Sequence, residues 1–387
     1  MSDWKSSEGT GPGSGSRPDS RLHLPSLSID GFRGIKNLSI PRLGRVTLIA
    51  GRNGIGKTTV LDAVRLHASR ARLSALADLL VSREEIALGK DADLADASLF
   101  DGKALFHGRD TSGHASISIG PLNGADRLRI EIASLDDEPN PMRKLLLAKS
   151  TGGGDRVMKV AFGESVELFP PGPYTFPREL MQLFAESGGE LPPELACESL
   201  GPGLPGSADL ARLWDRITLT DDEDRAIRAL NLAIEEEAAR VAVVGESTQN
   251  GPLPNVRRVV VRLKGYRQPV PLKSLGDGAV RLLGVAVALA NSRDGFLLID
   301  EVENGIHHAL QHDFWQMVLQ TAQENNVQVL ATTHGWDCVR GFAQAAVDLD
   351  AVEGVLVRIE RKDDRLRAVE YPEDELGIVA RDGIEVR

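Results

Sequence analysis

With 387 residues, 42% of them hydrophobic, the chain can bury a large core and has an ordinary globular composition. No apolar run approaches the ~20 residues that span a bilayer, and no apolar N-terminal core marks a leader, so a cytoplasmic rather than a membrane protein is expected. A net charge of −11 excludes a surface that is basic all round but not one local basic groove, and two isolated cysteines, Cys197 and Cys338, argue against a disulfide framework or a zinc site.

Residues 1–23, rich in Gly, Ser and Pro, read as a disordered tail. Residues 26–32 alternate apolar and polar as a strand does, Gly34 turns the chain, and residues 37–40 continue as a second strand. Val46-Thr47-Leu48-Ile49-Ala50 is a third, and helical spacing runs from Val60 to about Leu80. Between strand and helix stands Gly51-Arg52-Asn53-Gly54-Ile55-Gly56-Lys57-Thr58-Thr59, a G-x-x-x-x-G-K-[ST] phosphate loop in its proper setting. Glycines let successive backbone N–H groups face one anion, and the helix start adds partial positive charge at the same point. Lys57 can reach the β/γ-phosphates and the Thr58 hydroxyl can ligate Mg²⁺. Asn53, Gly54, Gly56, Lys57, Thr58 and Thr59 are therefore the expected nucleotide contacts.

Residues 85–265 are the least legible. Residues 115–119 and 128–132 alternate as antiparallel strands. Residues 170–206, dense in Pro and Gly, read as loops around one short helix at 178–186. Thr220-Asp221-Asp222-Glu223 has the form of a capping box, and Ile227, Leu230, Ile234, Ala238 and Val241 then recur at helical spacing, which predicts a helix over 220–241. Residues 256–264 read as a strand with Val259, Val261 and Leu263 on one face and Arg258, Arg262 and Lys264 on the other. No fixed-period repeat and no long heptad array occurs.

From Ser274 the pattern is helix, strand, helix, strand. Ser274-Leu275-Gly276-Asp277-Gly278 opens the first of these helices, a second potential anion site. Phe296-Leu297-Leu298-Ile299-Asp300-Glu301 is a continuous apolar run, as in a strand buried on both faces, and ends in two carboxylates. Asp300 is placed to hold Mg²⁺ and Glu301 to act as general base toward the attacking water. Val327-Gln328-Val329-Leu330-Ala331-Thr332-Thr333-His334 is another core strand, ending in a His that can contact a γ-phosphate. Expected segments are a tail (1–23), the N-terminal core with the P-loop (24–84), an insertion (85–265) and the C-terminal core (266–387).

Taken in order, the P-loop, interruption, Ser-x-Gly-x-Gly element, Asp-Glu strand and Thr-Thr-His resemble the ABC-type ATPases of the RecF, SMC and OLD group of AAA-family ATP-binding proteins. The opening Ile29-Asp30-Gly31-Phe32-Arg33-Gly34 and the run Glu303-Asn304-Gly305-Ile306-His307 are similar to theirs too. The resemblance covers residues 26–70 and 270–345 and little of the middle. It implies an α/β P-loop NTPase fold, an ABC-type ATPase head with an N-terminal antiparallel β element and a long mixed α/β insertion. It further implies ATP and Mg²⁺ as ligands and a head-to-tail, ATP-linked homodimer. In such a dimer Ser274, Gly276 and Gly278 act in trans, Asn304 and Gly305 line the seam, and His334 acts in cis.

One departure is that no Gln follows the P-loop helix before Gln182, where such ATPases carry a Mg²⁺ ligand. Residues 105–110 offer His107 or Asp110 in that place, or are a polar surface turn. Only about 50 residues follow His334, too few for the TOPRIM nuclease domain of OLD proteins, and they read as a helix and a hairpin (355–360, 366–371). Three functions remain open. The first is a switch ATPase controlling a separate effector in a bacterial defence-like system. The second is a RecF-like repair ATPase binding DNA or RNA through Arg258, Arg262 and Lys264. The third, a transporter ATPase, is opposed by the missing Gln and by the Phe32-Arg33-Gly34 opening.

Overall fold

The computed structural model describes residues 22–85, 101–112, 115–150, 155–169, 191–248, 251–349, 352–363 and 365–371. Strands β1 (Leu27–Phe32), β2 (Ile35–Ile40) and β3 (Val46–Ala50) lead to helices α1 (Lys57–Ala68) and α2 (Leu73–Ser82). Then come β4 (Ser116–Gly120), β5 (Leu128–Ser134), α3 (Pro141–Ser150), β6 (Arg156–Phe162), β7 (Ser165–Phe169) and β8 (Cys197–Leu200). Helices α4 (Ser207–Ile217) and α5 (Asp221–Asn231) precede β9 (Ala238–Thr248), β10 (Gly251–Leu263) and β11 (Val270–Pro271). The last part is α6 (Asp277–Asn291), β12 (Phe296–Ile299), α7 (Gln311–Glu324), β13 (Gln328–Thr333), α8 (Trp336–Asp348), β14 (Gly354–Lys362) and β15 (Arg365–Tyr371).

The central sheet runs β15-β14-β3-β13-β12-β8, parallel except for the β14–β15 hairpin. Its inner strands β3, β13 and β12 bury both faces, which is why they read as unbroken apolar runs. Leu48, Leu297, Ile299, Val329 and Ala331 face one core with α4 to α8; Ile49, Phe296, Leu298 and Leu330 face the other, with α1 and α2. The second core is closed by a six-stranded antiparallel sheet, β2-β1-β4-β5-β6-β7, and a three-stranded sheet, β11-β10-β9, packs beside α4 and α5. Because β3, β13 and β12 are parallel and in register, the segments that follow them emerge at one edge of the sheet.

The expected α/β P-loop architecture is present, with the antiparallel element at its N-terminal side. Three local expectations are corrected. The helix from 60 to 80 is two helices. Arg70 and Ala71 take left-handed φ of 56° and 48°, and the Ala71 and Arg70 amides bond back to Leu66 and His67, closing α1 with a glycine-free Schellman turn. The helix over 220–241 stops at Asn231. Asn231 clasps the backbone of Ala238 through both side-chain atoms, turning the chain into β9, whose pairing with β10 claims Ala238 and Val241. The capping box does not form: Glu223 accepts the Leu219 amide, one residue before the cap, and the Thr220 hydroxyl donates to Ile217 O.

The stretch 85–265, expected as an insertion, contributes strands to both large sheets. Within it β4–β7 extend the N-terminal sheet, and β8, inside the stretch read as loops, is the edge strand of the central sheet beside β12. Of the expected tail 1–23, residues 1–21 lie outside the described residues, as does the short helix at 178–186, whereas His23 is placed against Asn326 O and the Phe296 ring.

Candidate active site

The P-loop joins β3 to α1. Its crown, Asn53 and Gly54, is exposed, Thr58 and Thr59 are half-buried, and Gly54 and Gly56 hold φ of 74° and 111°, backbone that L side chains strain to adopt. Gly56 stands at the N-terminus of α1. The Lys57 ammonium, 7% exposed, lies over the loop and donates to Gly51 O (2.7 Å) and Arg52 O (3.1 Å). Burial lowers its pKa, against the fields of Asp300, Glu303 and Glu301, which raise it. An amine held among three carboxylates and folded onto its own loop is a cation set to receive phosphate.

Asp300, buried at the end of β12, is the hub. Its Oδ2 accepts from Thr58 Oγ1 (2.8 Å) and its Oδ1 from Thr332 Oγ1 (2.5 Å), so one carboxylate ties the P-loop helix to β13. Thr332 Oγ1 also accepts the Glu301 amide (2.9 Å). Glu301 takes a left-handed φ of 46°, a conformation that costs energy for a non-glycine residue and turns the chain sharply after the strand. Its Oε2 accepts from Asn304 Nδ2 (2.8 Å). Thr58 and Asp300 are hard oxygen donors held side by side, and few in number, which suits Mg²⁺, an ion that keeps several waters. Among the described residues no group of three His, Cys, Asp or Glu side chains could form a closed metal cage.

His334 follows β13 and is exposed. Glu303 Oε1 accepts from the His334 amide (2.9 Å) and the Gly335 amide (3.0 Å), and it lies 3.1 Å from His334 Nδ1. Glu303 was not among the expected site residues; the carboxylate-rich run Asp300-Glu301-Val302-Glu303 was the signal. Arg281 was also missed. Its side chain is wholly buried and donates to Gly201 O, Gly203 O, Asp300 O and Glu301 O at 2.9–3.2 Å. A lone cation in the apolar helix that Gly278 opens could have revealed it.

Ser274, Gly276 and Gly278 do not converge on this cluster through any described contact. Gly276 has φ 94°, is exposed, and has open space where a side chain would start; Gly278 packs on Gly305 O and Ala233. The element therefore adjoins the Asn304-Gly305 turn and presents its backbone outward. His107 bonds to Arg33 O, and Asp110 accepts from Ser112, which holds its carboxyl below the usual range; neither shows a contact with Thr58 or Asp300. In the basic cluster Lys264 is paired with Glu237 and Arg257 with Asp215, so its free charge is smaller than the sequence implies.

Known proteins carry these elements too. Residues 185–334 match the family described as "AAA domain, putative AbiEii toxin, Type IV TA system", and residues 26–68 match an "AAA domain" family. An "ATP/GTP phosphatase" of Helicobacter pylori is 20% identical over 363 residues, covering 88% of this chain and 93% of that protein. A Methanocaldococcus jannaschii protein is 29% identical over 92 residues, 24% of this chain and 80% of that one. A solved SMC head bound to the C-terminal winged-helix domain of ScpA aligns at TM-score 0.47 and 12% identity, covering 91% of this chain and 99% of that one. No described helix is long and apolar enough to cross a membrane. The two AAA-domain segments carry the P-loop, the Asp-Glu strand end and the Ser-x-Gly-x-Gly helix start, and with the fold they make this chain a P-loop ATPase.

Proposed function

We propose that this ATPase is a nucleotide-driven dimeric switch that controls a separate effector. The observation that carries the catalytic part is Asp300, which links Thr58 of the P-loop to Thr332 while Glu301 emerges beside it. ATP binds with its β/γ-phosphates on the loop amides and Lys57. Thr58 and Asp300 would hold Mg²⁺, which when bound offsets phosphate charge. Glu301 takes a proton from water as the water oxygen bonds to the γ-phosphorus and the bond to the β-phosphate oxygen breaks, leaving ADP and phosphate. His334 contacts the γ-phosphate in cis. Ser274, Gly276 and Gly278 complete the site of a partner subunit in trans, where their backbone donors stabilise charge that one subunit leaves exposed.

The control of an effector in a defence-like system is supported by the toxin-type description of the matched family, and the H. pylori relative makes GTP worth assaying beside ATP. The catalytic reading is tested by two variants measured together. Glu301→Gln should retain ATP binding and lose turnover, whereas Lys57→Ala should lose binding itself. Turnover by Glu301→Gln within about twofold of wild type would move the base elsewhere.

One observation favours a second reading, a RecF-like ATPase that binds nucleic acid. Arg240 of β9 lies directly across from Arg262 of β10, and both are exposed. Like charges in register repel unless an anion is shared between them. Arg258 and Arg262 share that face, and Lys264 extends it. Duplex DNA or RNA binding should weaken with salt, and Arg240→Gln with Arg262→Gln should flatten that dependence by roughly two units of slope. Binding with unchanged salt slope in the double variant would remove this reading.

A further inference from the structure

We propose that Glu303 is a positioning residue for hydrolysis: its carboxylate fixes the His334 ring by Nδ1, leaving Nε2 as the edge that meets the nucleotide. The inference rests on the reading of His334 given above and names what holds that residue in place.

The geometry is unusually one-sided. Oε1 of Glu303 collects the His334 amide, the Gly335 amide and His334 Nδ1, all within 2.9–3.1 Å. Oε2 is buried and makes no hydrogen bond among the described residues. His334 Nδ1 lies 3.1 Å from Glu303 Oε1, a distance from which a protonated Nδ1 turns toward the carboxylate and leaves Nε2 facing outward. Space enforces the arrangement as well. A side chain at Gly335 would begin 3.3 Å from Glu303 Oε1 and 3.4 Å from its Cγ, so the turn before α8 closes over the carboxylate. The carboxylate itself is largely buried, whereas the ring it holds is exposed. A fixed base under a solvent-facing ring is how a protein aims an imidazole rather than how it fills a core.

Capping α8 would be the purely structural role, and Glu303→Gln separates the two. The amide oxygen can still accept both backbone N–H groups, so a cap survives, but the charge that commits the imidazole is gone. We expect Glu303→Gln to lower kcat about tenfold while nucleotide Kd stays within about twofold and thermal melting is little changed. In a His334→Ala background the same substitution should change kcat by less than about twofold, because the residue it acts through is absent. A wild-type kcat for Glu303→Gln, or a full additive loss on top of His334→Ala, overturns the inference while leaving a slow His334→Ala variant to support the role of His334. Wild-type hydrolysis by His334→Ala would overturn both.

Discussion

Individual side chains in this site are arranged around unequal charge. Asp300, Glu301 and Glu303 all act on one ammonium, Lys57, whose burial alone would favour its neutral form. That ammonium donates to two loop carbonyls. This explains why Lys57→Ala and Glu301→Gln should fail at different steps. Removing Lys57 removes the buried loop cation proposed to meet the phosphates, and a charge-assisted contact of that kind contributes about 1.5–3 kcal/mol, or roughly ten- to hundredfold in affinity. Calorimetry reads that loss directly. Glu301→Gln keeps the side chain's shape and its contact with Asn304, so affinity should persist. The amide cannot take a proton, and a positioned base is responsible for about 10²- to 10⁴-fold in rate.

Between elements, the telling connection is Arg281. It leaves α6 one turn after the Ser-x-Gly-x-Gly start and reaches the carbonyls of Asp300 and Glu301 at the end of β12. Any shift of the α6 N-terminus therefore pulls on the segment that holds the base. Arg281→Met fills similar volume but leaves the buried Asp300 carbonyl and three part-buried ones without their donor, so unfolding free energy should fall by about 3 kcal/mol in denaturant titration. Hydrolysis should fall under conditions where the variant is still folded; unchanged turnover would mean that the link is only structural. Arg281 also shows what the sequence does not make legible. The P-loop, Asp300, Glu301 and His334 are readable because strand, turn and ligand are contiguous. Arg281 works through residues 78 to 80 and 19 to 20 positions away. The break after α1 was hidden because Arg70, held over the Phe162 ring, does the work of the usual glycine. The first residues of β9 fit a helical spacing because Ala238 and Val241, three apart, are both buried in the strand. β8 is only four residues long and lies among prolines and glycines, so it offers no period to read.

At the scale of the molecule, two separate surfaces matter to the proposed switch. The P-loop crown and His334 are exposed on one, and the Ser274–Gly278 backbone is exposed on the other, beside Asn304 and Gly305. If these halves meet across two copies, the γ-phosphate is enclosed from both sides and water is admitted only at Glu301. ATP would then close the dimer and hydrolysis would open it, which is what a switch requires. The Glu301→Gln protein should sediment as a dimer with ATP and Mg²⁺ and less so with ADP. Gly276→Asp should lower both assembly and hydrolysis by setting a carboxylate against the partner's γ-phosphate. Gly276→Asn carries the same strain at φ 94° without the charge and separates the two causes. Neither Lys57→Ala nor Gly276→Asp should be active alone. A mixed dimer of the two contains one site with an intact P-loop and an intact facing element, so mixing should restore part of the activity. If Gly276→Asp hydrolyses ATP as wild type does, or if subunits demonstrably exchange and the mixture recovers nothing, the trans arrangement is wrong and the second anion-binding helix start serves another purpose.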